Sequence, residues 1–234
     1  GCRFSAPVYP AVADLLKHLT VQIPNEHTDR LHAKAREHDI YIQSGSMLEE
    51  DPKYPGVVFN TTCLIGPEGI LYKYRKVNPW IPFEVHSSPH DIPGYDEPLF
   101  PVADTKIGRL GCAICYDLRF PYLFAALVDK GAHLIALPSA FTMQTGKDHW
   151  EVLCRARAIE TETYFCAAAQ TGAHTAGNDT RHTYGHSLVA DRWGHVVAKA
   201  SDGVGVVSAR VDPKRVEKAR QMIPVAQHRV RLAE

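Results

Sequence analysis

No run in this 234-residue sequence approaches the roughly 20 apolar residues that a bilayer-spanning helix requires. Neither sign of charge is in excess: 26 Lys and Arg balance 26 Asp and Glu. Such a balance offers no pull on phosphate backbones or anionic lipid, which argues against nucleic-acid and membrane partners. The opening GCRFSAPVYP lacks the basic-then-apolar pattern of a signal peptide. Cysteine is sparse and scattered, at positions 2, 63, 112, 115, 154 and 166. That is not the dense framework of a secreted mini-protein, and it points to a reducing, cytoplasmic setting. Low-complexity segments, internal repeats and a recognisable linker are also missing, so a single domain over 1–234 is expected. What remains is ordinary globular composition, 45% hydrophobic and 22% charged, on a chain long enough to bury a sizeable core.

Periodicity orders the chain. Val12, Leu15, Leu16 and Leu19 recur at helical spacing, and a second helix is predicted from about 28 to 38. Alternation at Ile40–Gln43 and the runs 57–65 and 70–76, joined by Gly66-Pro67-Glu68-Gly69, predict a hairpin. Residues 77–101 hold six prolines (79, 82, 89, 93, 98 and 101), which excludes a regular element and marks a functional loop. A strand over 107–115, a helix over 122–130 and a buried strand over 133–137 follow. A helix over 149–162 carries Glu151 four residues before Arg155, a favourable pair. Strands are predicted at 164–169, 184–190, 196–200 and 204–211, with Asp191-Arg192-Trp193-Gly194 as a hairpin turn. A final helix spans about 213–222. Hairpins beside strand–helix–strand units predict mixed α/β layers.

Two segments carry candidate chemistry. In GRLGCAICYDLRFP (108–121) an apolar strand ends at Cys115 and a polar stretch leads towards a helix. A thiol at such an edge meets backbone N–H groups that favour the thiolate and a developing negative charge. Cys112, three residues earlier in the strand, points to the other side. Local sequence alone favours core packing for both thiols. A redox reading of Cys112-Ala113-Ile114-Cys115 is weakened because a dithiol motif opens a helix rather than closing a strand. Zinc lacks a second ligand pair. The other segment, LYKYRKVNPWIPFE (71–84), brings Lys73, Arg75 and Lys76 to the exit of a strand. Lys76 there can meet an oxyanion and Glu84 can orient it; a solvated basic strand edge is the plainer alternative. His182 and His186 share a strand face if no bulge intervenes, and core or surface packing suits them better than metal binding.

Together these segments resemble the nitrilase superfamily of carbon–nitrogen hydrolases over nearly the whole chain. KYRKVNPWIPFE (73–84) is similar to the lysine segment of aliphatic amidases, and GRLGCAICYDLRFP to the nucleophile segment. SAFTMQTGKDHWEVLCRARAIETETYFCAAAQTG (139–172) and HTYGHSLVADRWGHVVA (182–198) resemble deaminated-glutathione amidases and omega-amidases. The resemblance implies a four-layer α-β-β-α sandwich and a Glu-Lys-Cys catalytic set. It assigns Cys115 as nucleophile, Lys76 as catalytic lysine, Glu84 as accessory glutamate and the Tyr116 N–H as oxyanion donor. It also implies homodimers or higher homo-oligomers, with 215–229 near the contact. No metal, nucleotide or organic cofactor is implied, because the thiol carries the covalent step.

Two departures from the family pattern stand out. The general-base glutamate of the family follows a second core strand that has no counterpart here. The expectation is therefore an amino-terminally incomplete sequence without the first strand, first helix and second strand. Tyr122 stands where a glutamate commonly follows the Arg-Phe-Pro, which weakens an ion pair for Arg119. The Tyr-Asp-Leu-Arg after Cys115 favours amides over nitriles. Phe141, Met143 and Thr145 follow a strand end and are expected to line the acyl pocket. The expected substrate is a small keto- or dicarboxylic acid amide. The alternatives are a short-chain aliphatic amidase and a non-catalytic subunit or inactive fragment.

Overall fold

A computed structural model describes residues 19–80, 87–176 and 179–230. They fall into two compact units divided between Leu99 and Phe100. The predicted helix over 12–19 lies, all but Leu19, outside the described residues.

In the first unit, helix α1 (Glu26–His38) starts at an asparagine that caps it. Asn25 Oδ1 accepts from the N–H groups of His27 and Thr28, at 2.9 and 3.1 Å, and Thr28 Oγ1 accepts from the Asn25 N–H at 2.8 Å. These bonds satisfy donors that a helix start leaves orphaned. The helix packs Ala35 and Leu31 on Cys63 and Ile65 of the sheet. That sheet comprises β1 (Ile42–Gln43), β2 (Met47–Glu50), β3 (Val58–Gly66) and β4 (Gly69–Arg75). β1 and β2 pair in succession along one edge of β3, and β4 pairs antiparallel along the other. The 58–75 hairpin forms as the Gly-Pro-Glu-Gly signal predicts. β2 was not foreseen: its Glu49-Glu50 pair looks solvated, yet Glu49 is buried by partners on β3 and β4.

The second unit is a six-stranded sheet with helices. Its strands are β5 (Val102–Thr105), β6 (Gly108–Cys112), β7 (Leu134–Ser139), β8 (Tyr164–Ala169), β11 (Leu188–Ala190) and β12 (Val196–Lys199). Their order is β12-β11-β8-β7-β6-β5, with β6, β7 and β8 parallel and the outer pairs antiparallel. The parallel strands are joined through α2 (Pro121–Asp129) and α3 (Glu151–Thr161). Leu123, Phe124 and Leu127 of α2 are wholly buried, and Phe124 meets Phe165 of β8 at 5.7 Å. Each such side chain removed from water contributes about 2 kcal/mol. β9 (Thr171–Ala176) and β10 (Asp179–Tyr184) form a separate two-stranded ribbon. α4 (Pro213–Met222) matches its predicted span. The mixed α/β architecture is therefore present in both units.

Several expectations are corrected. The strand over 107–115 stops at Cys112. Residues 204–211 form no strand, and Val204 and Val206 are fully exposed. Glu151 bonds Lys199 at 2.7 Å rather than Arg155, whose Nε donates to Gly194 O at 2.8 Å. The latter bond ties α3 to the predicted turn, where Gly194 takes a φ of 77°. His182 and His186 do not share a strand, because β10 ends at Tyr184 and His186 turns to a φ of 59°.

Candidate active site

The parallel strands β6, β7 and β8 send their carboxyl ends to one edge, the place where open α/β sheets bind ligands. At that edge Ala113 N–H still bonds Ala136 O of β7 at 3.1 Å, but two residues later the chain turns. Cys115 has a φ of 47° and opens a 3-10 turn, Cys115–Arg119. A positive φ on a residue with a β-carbon is strained, and such strain clusters at functional sites. The turn is fixed from within: Asp117, wholly buried, accepts the Ile114 N–H at 2.9 Å, and the Asp117 N–H donates to Ile114 O at 3.0 Å. It is fixed from α3 as well, where Arg157 Nε donates to Leu118 O at 2.8 Å.

Cys63, Cys112 and Cys154 are fully buried, whereas Cys115 and Cys166 are half-buried; among the described cysteines the positive φ sets Cys115 apart. Burial pushes the thiols of Cys63 and Cys166 up to about 12, and that of Cys154 well up too. Those three stay protonated at neutral pH and are poor nucleophiles.

The expected acyl-pocket residues follow β7. Phe141 is buried and packs on Trp150 at 4.9 Å between ring centres. Thr145 is half-buried, its hydroxyl 2.9 Å from that of Thr142. A single helical turn, Met143–Thr145, runs into a π-helical segment, Gly146–Trp150, before α3. Such wide turns are frequent at functional sites. Gly146 lies so close to Tyr184 of β10 that a β-carbon there would sit 2.2 Å from the tyrosine's own. Tyr184 N–H donates to Phe141 O at 2.9 Å, so the β9–β10 ribbon braces this loop.

Arg119, at the end of the 3-10 turn, was not singled out as a site residue. Its guanidinium lies 5.8 Å from the Tyr116 ring centre and 5.5 Å from that of Phe141. Tyr122 at the family's glutamate position is exposed and stacks edge-on with Phe120 at 6.1 Å. That departure was the signal in the sequence.

Lys76 belongs to the first unit. It follows β4 directly, is fully buried, and its N–H donates to Asn60 O at 2.8 Å. Asn60 Oδ1, also buried, has no hydrogen-bond partner. On the opposite strand face Arg75 is clamped. Its Nε and Nη2 donate to Glu49 at 2.8 and 2.9 Å, Nη1 to Glu97 at 3.1 Å and Nη2 also to Asp51. Its guanidinium lies 4.1 Å from the Phe59 ring centre. Burial favours the neutral acid of Glu49, but hydrogen bonds from Arg75, Lys73 and Thr61 outweigh it and hold the carboxyl below its ordinary range. This cluster gives Glu49 a structural role and pins the strand end from which Lys76 emerges. Glu84 lies outside the described residues.

The sequence profile of the carbon-nitrogen hydrolase family matches residues 2–221. That match places the chain in the family: it belongs to the carbon-nitrogen hydrolase family of the nitrilase superfamily. The nitrilase and fragile histidine triad fusion protein NitFhit of Caenorhabditis elegans is 41% identical over 208 residues, 87% of this chain and 47% of that protein. The deaminated glutathione amidase of Rattus norvegicus is 42% identical over 203 residues, 83% of this chain and 61% of its own. The chain thus spans about half to three-fifths of the length of these relatives. Among solved structures, Saccharomyces cerevisiae Nit3, a member of branch 10 of the nitrilase superfamily, superposes with a TM-score of 0.75 at 32% identity. That match covers 88% of this chain and 73% of the yeast protein. A carbon-nitrogen hydrolase from Helicobacter pylori shares the fold at a TM-score of 0.77 and 24% identity, covering 94% of this chain and 76% of its own.

Proposed function

We propose that this chain is the Cys-bearing part of an amidase that hydrolyses a small carboxamide to a carboxylate and ammonia. The carrying observation is Cys115, half-exposed at the parallel-strand edge and alone among the described cysteines in having a positive φ. In this reading Cys115 Sγ attacks the carbonyl carbon, and Lys76 and the Tyr116 N–H hold the oxyanion. The thiol proton passes to the leaving nitrogen, the C–N bond breaks, and ammonia departs from a thioester. Water then adds to the thioester and releases the acid and the free thiol. Glu84 is assigned an accessory role towards Lys76, and Phe141 and Thr145 line the acyl pocket. Residues 1–234 are read as a single carbon–nitrogen hydrolase domain, and the protein as a homodimer or larger homo-oligomer.

The similarity of the chain to deaminated glutathione amidases supports an amide of a keto- or dicarboxylic acid over a short unsubstituted amide. Ammonia release is measured with a panel running from propionamide to alpha-ketoglutaramate. The keto-acid amide is expected to be preferred by kcat/KM; a preference for propionamide overturns that choice of substrate. Alkylation of Cys115 by iodoacetamide, followed by mass spectrometry, is expected to outpace that of Cys63, Cys112, Cys154 and Cys166. Equal labelling removes Cys115 as the nucleophile.

A further inference from the structure

A primary carboxamide sets two kinds of hydrogen-bonding group side by side, a carbonyl oxygen that accepts and an NH2 that donates. A lysine serves only the first, because an ammonium has donors and no acceptor. With Lys76 at the oxygen, the nitrogen beside it needs an acceptor of its own. Asn60 stands where one is needed. The antiparallel register that pairs Thr61 with Arg75 carries on one residue further, where the Lys76 N–H donates to Asn60 O at 2.8 Å. Residues directly opposite in such a pair share a face, with β-carbons about 5 Å apart. The side chains of Asn60 and Lys76 therefore leave the sheet as neighbours on one face.

Asn60 Oδ1 is buried and has no hydrogen-bond partner among the described residues. A dry carbonyl oxygen without a donor is costly to keep. The neighbouring polar side chains of this face are employed. Gln43 Nε2 donates to Thr62 Oγ1 at 2.7 Å, and the Thr62 hydroxyl donates to Ser44 O at 2.7 Å. The Tyr72 hydroxyl donates to Gln43 Oε1 at 3.2 Å, and that of Tyr74 accepts the Val77 N–H at 3.4 Å. On its other flank Asn60 pairs with Leu48 of β2, whose side chain brings no donor. The strands are not free to shift and relieve the orphan. On the reverse face Thr61 Oγ1 and Arg75 Nε both donate to Glu49, at 2.6 and 2.8 Å. An acceptor held in place without a donor is one that a substrate N–H completes.

We infer that Asn60 Oδ1 accepts an N–H of the scissile carboxamide while Lys76 holds its oxygen, so that the pair reads the amide by donor and acceptor together. This rests on the role proposed for Lys76. The covalent steps are unchanged: the nitrogen keeps its two hydrogens, takes the thiol proton and leaves as ammonia, with Asn60 accepting throughout. The carboxylate product has two acceptor oxygens and no donor, so the same Oδ1 opposes it and favours its release. An ester also lacks the N–H, and a site built around that donor rejects the analogue without it.

The test compares the best amide of the panel with its methyl ester, which gives the same thioester with loss of methanol. The readout is the ratio of the two kcat/KM values, amide over ester. Asn60→Leu, similar in volume but without the acceptor, is expected to lower that ratio about tenfold, as losing one hydrogen bond in a dry site does. Asn60→Asp keeps an acceptor and is expected to restore the wild-type ratio, although its charge beside Lys76 slows both substrates. Lys76→Ala is expected to slow both alike. A ratio unchanged in Asn60→Leu, with both substrates slowed in Lys76→Ala, overturns the Asn60 contact and leaves the lysine standing. Lys76→Ala as fast as wild type on both overturns the lysine's role, and the contact with it. Should Asn60→Leu fail to fold, Asn60→Ser, too short to reach the nitrogen, replaces it, and a wild-type ratio there sinks the contact. Should the wild type turn over neither compound, titration calorimetry compares amide and ester binding to Cys115→Ala with and without Asn60→Leu. A preference for the amide that Asn60→Leu abolishes supports the contact; an equal or absent preference overturns it.

Discussion

A buried ammonium beside a carbonyl that gains negative charge stabilises the transition state more than the ground state, because no water is present to share the load. Lys76 is the candidate for that task. Lys76→Ala is expected to lower kcat by at least about a hundredfold, the usual effect of losing one oxyanion donor, about 3 kcal/mol. The comparison is of steady-state ammonia release by the two proteins. Lys76 and Cys115 stand out as candidates in the sequence because each lies in a motif whose order and spacing are specific; in the fold Lys76 follows β4 directly and Cys115 opens the turn beyond β6. Glu49 does not stand out. Beside Glu50 and Asp51 it reads as solvated, and only the folded hairpin shows that Lys73, Arg75 and Thr61 converge on it.

Elements fixed by continuous apolar alternation were the ones the sequence made visible, as in β3, β7 and β8. The β9–β10 ribbon was missed because TGAHTA and DTRHTY contain no large aliphatic residue and bury none. The opposite error fell on 204–211, where VGVVSARV has the valines of a strand but pairs with no other described segment. The π-helical segment was invisible for another reason: its local residues are compatible with an α-helix, and the wider turn answers the close approach of Gly146 to Tyr184. Gly146→Ala is expected to force that contact apart and lower Tm by roughly 5–10 °C, as overpacking of about 3 kcal/mol does in a chain of this size. A melt followed by circular dichroism reads the shift, and an unchanged Tm would show that the approach is not constrained.

For the molecule as a whole, zero formal net charge leaves no general self-repulsion, so its acid response falls on individual buried carboxylates. Glu49 is held below the ordinary glutamate value of 4.5 in the folded chain. Its contribution is therefore complete above that value and is lost as pH falls through the lower folded one. Urea melts are expected to show stability flat around neutrality and declining below pH 4.5. Arg75→Met removes the guanidinium and leaves Glu49 buried with Lys73 as its remaining cation. A loss of about 3–5 kcal/mol at pH 7 is expected, with a weaker acid dependence below 4.5. A variant whose melts overlay the wild type across that range would show that the cluster holds no net stability.

The positive φ at Cys115 also inverts an ordinary rule of substitution. In a regular helix alanine outranks glycine by about 1 kcal/mol; at a left-handed position every residue with a β-carbon carries a penalty that glycine escapes. Both Cys115→Ala and Cys115→Gly discard the sulfur and should be equally inert. Yet the glycine form is expected to unfold at the higher denaturant concentration of the two. The protein would then be keeping, at its reactive position, a side chain that its own backbone would rather do without.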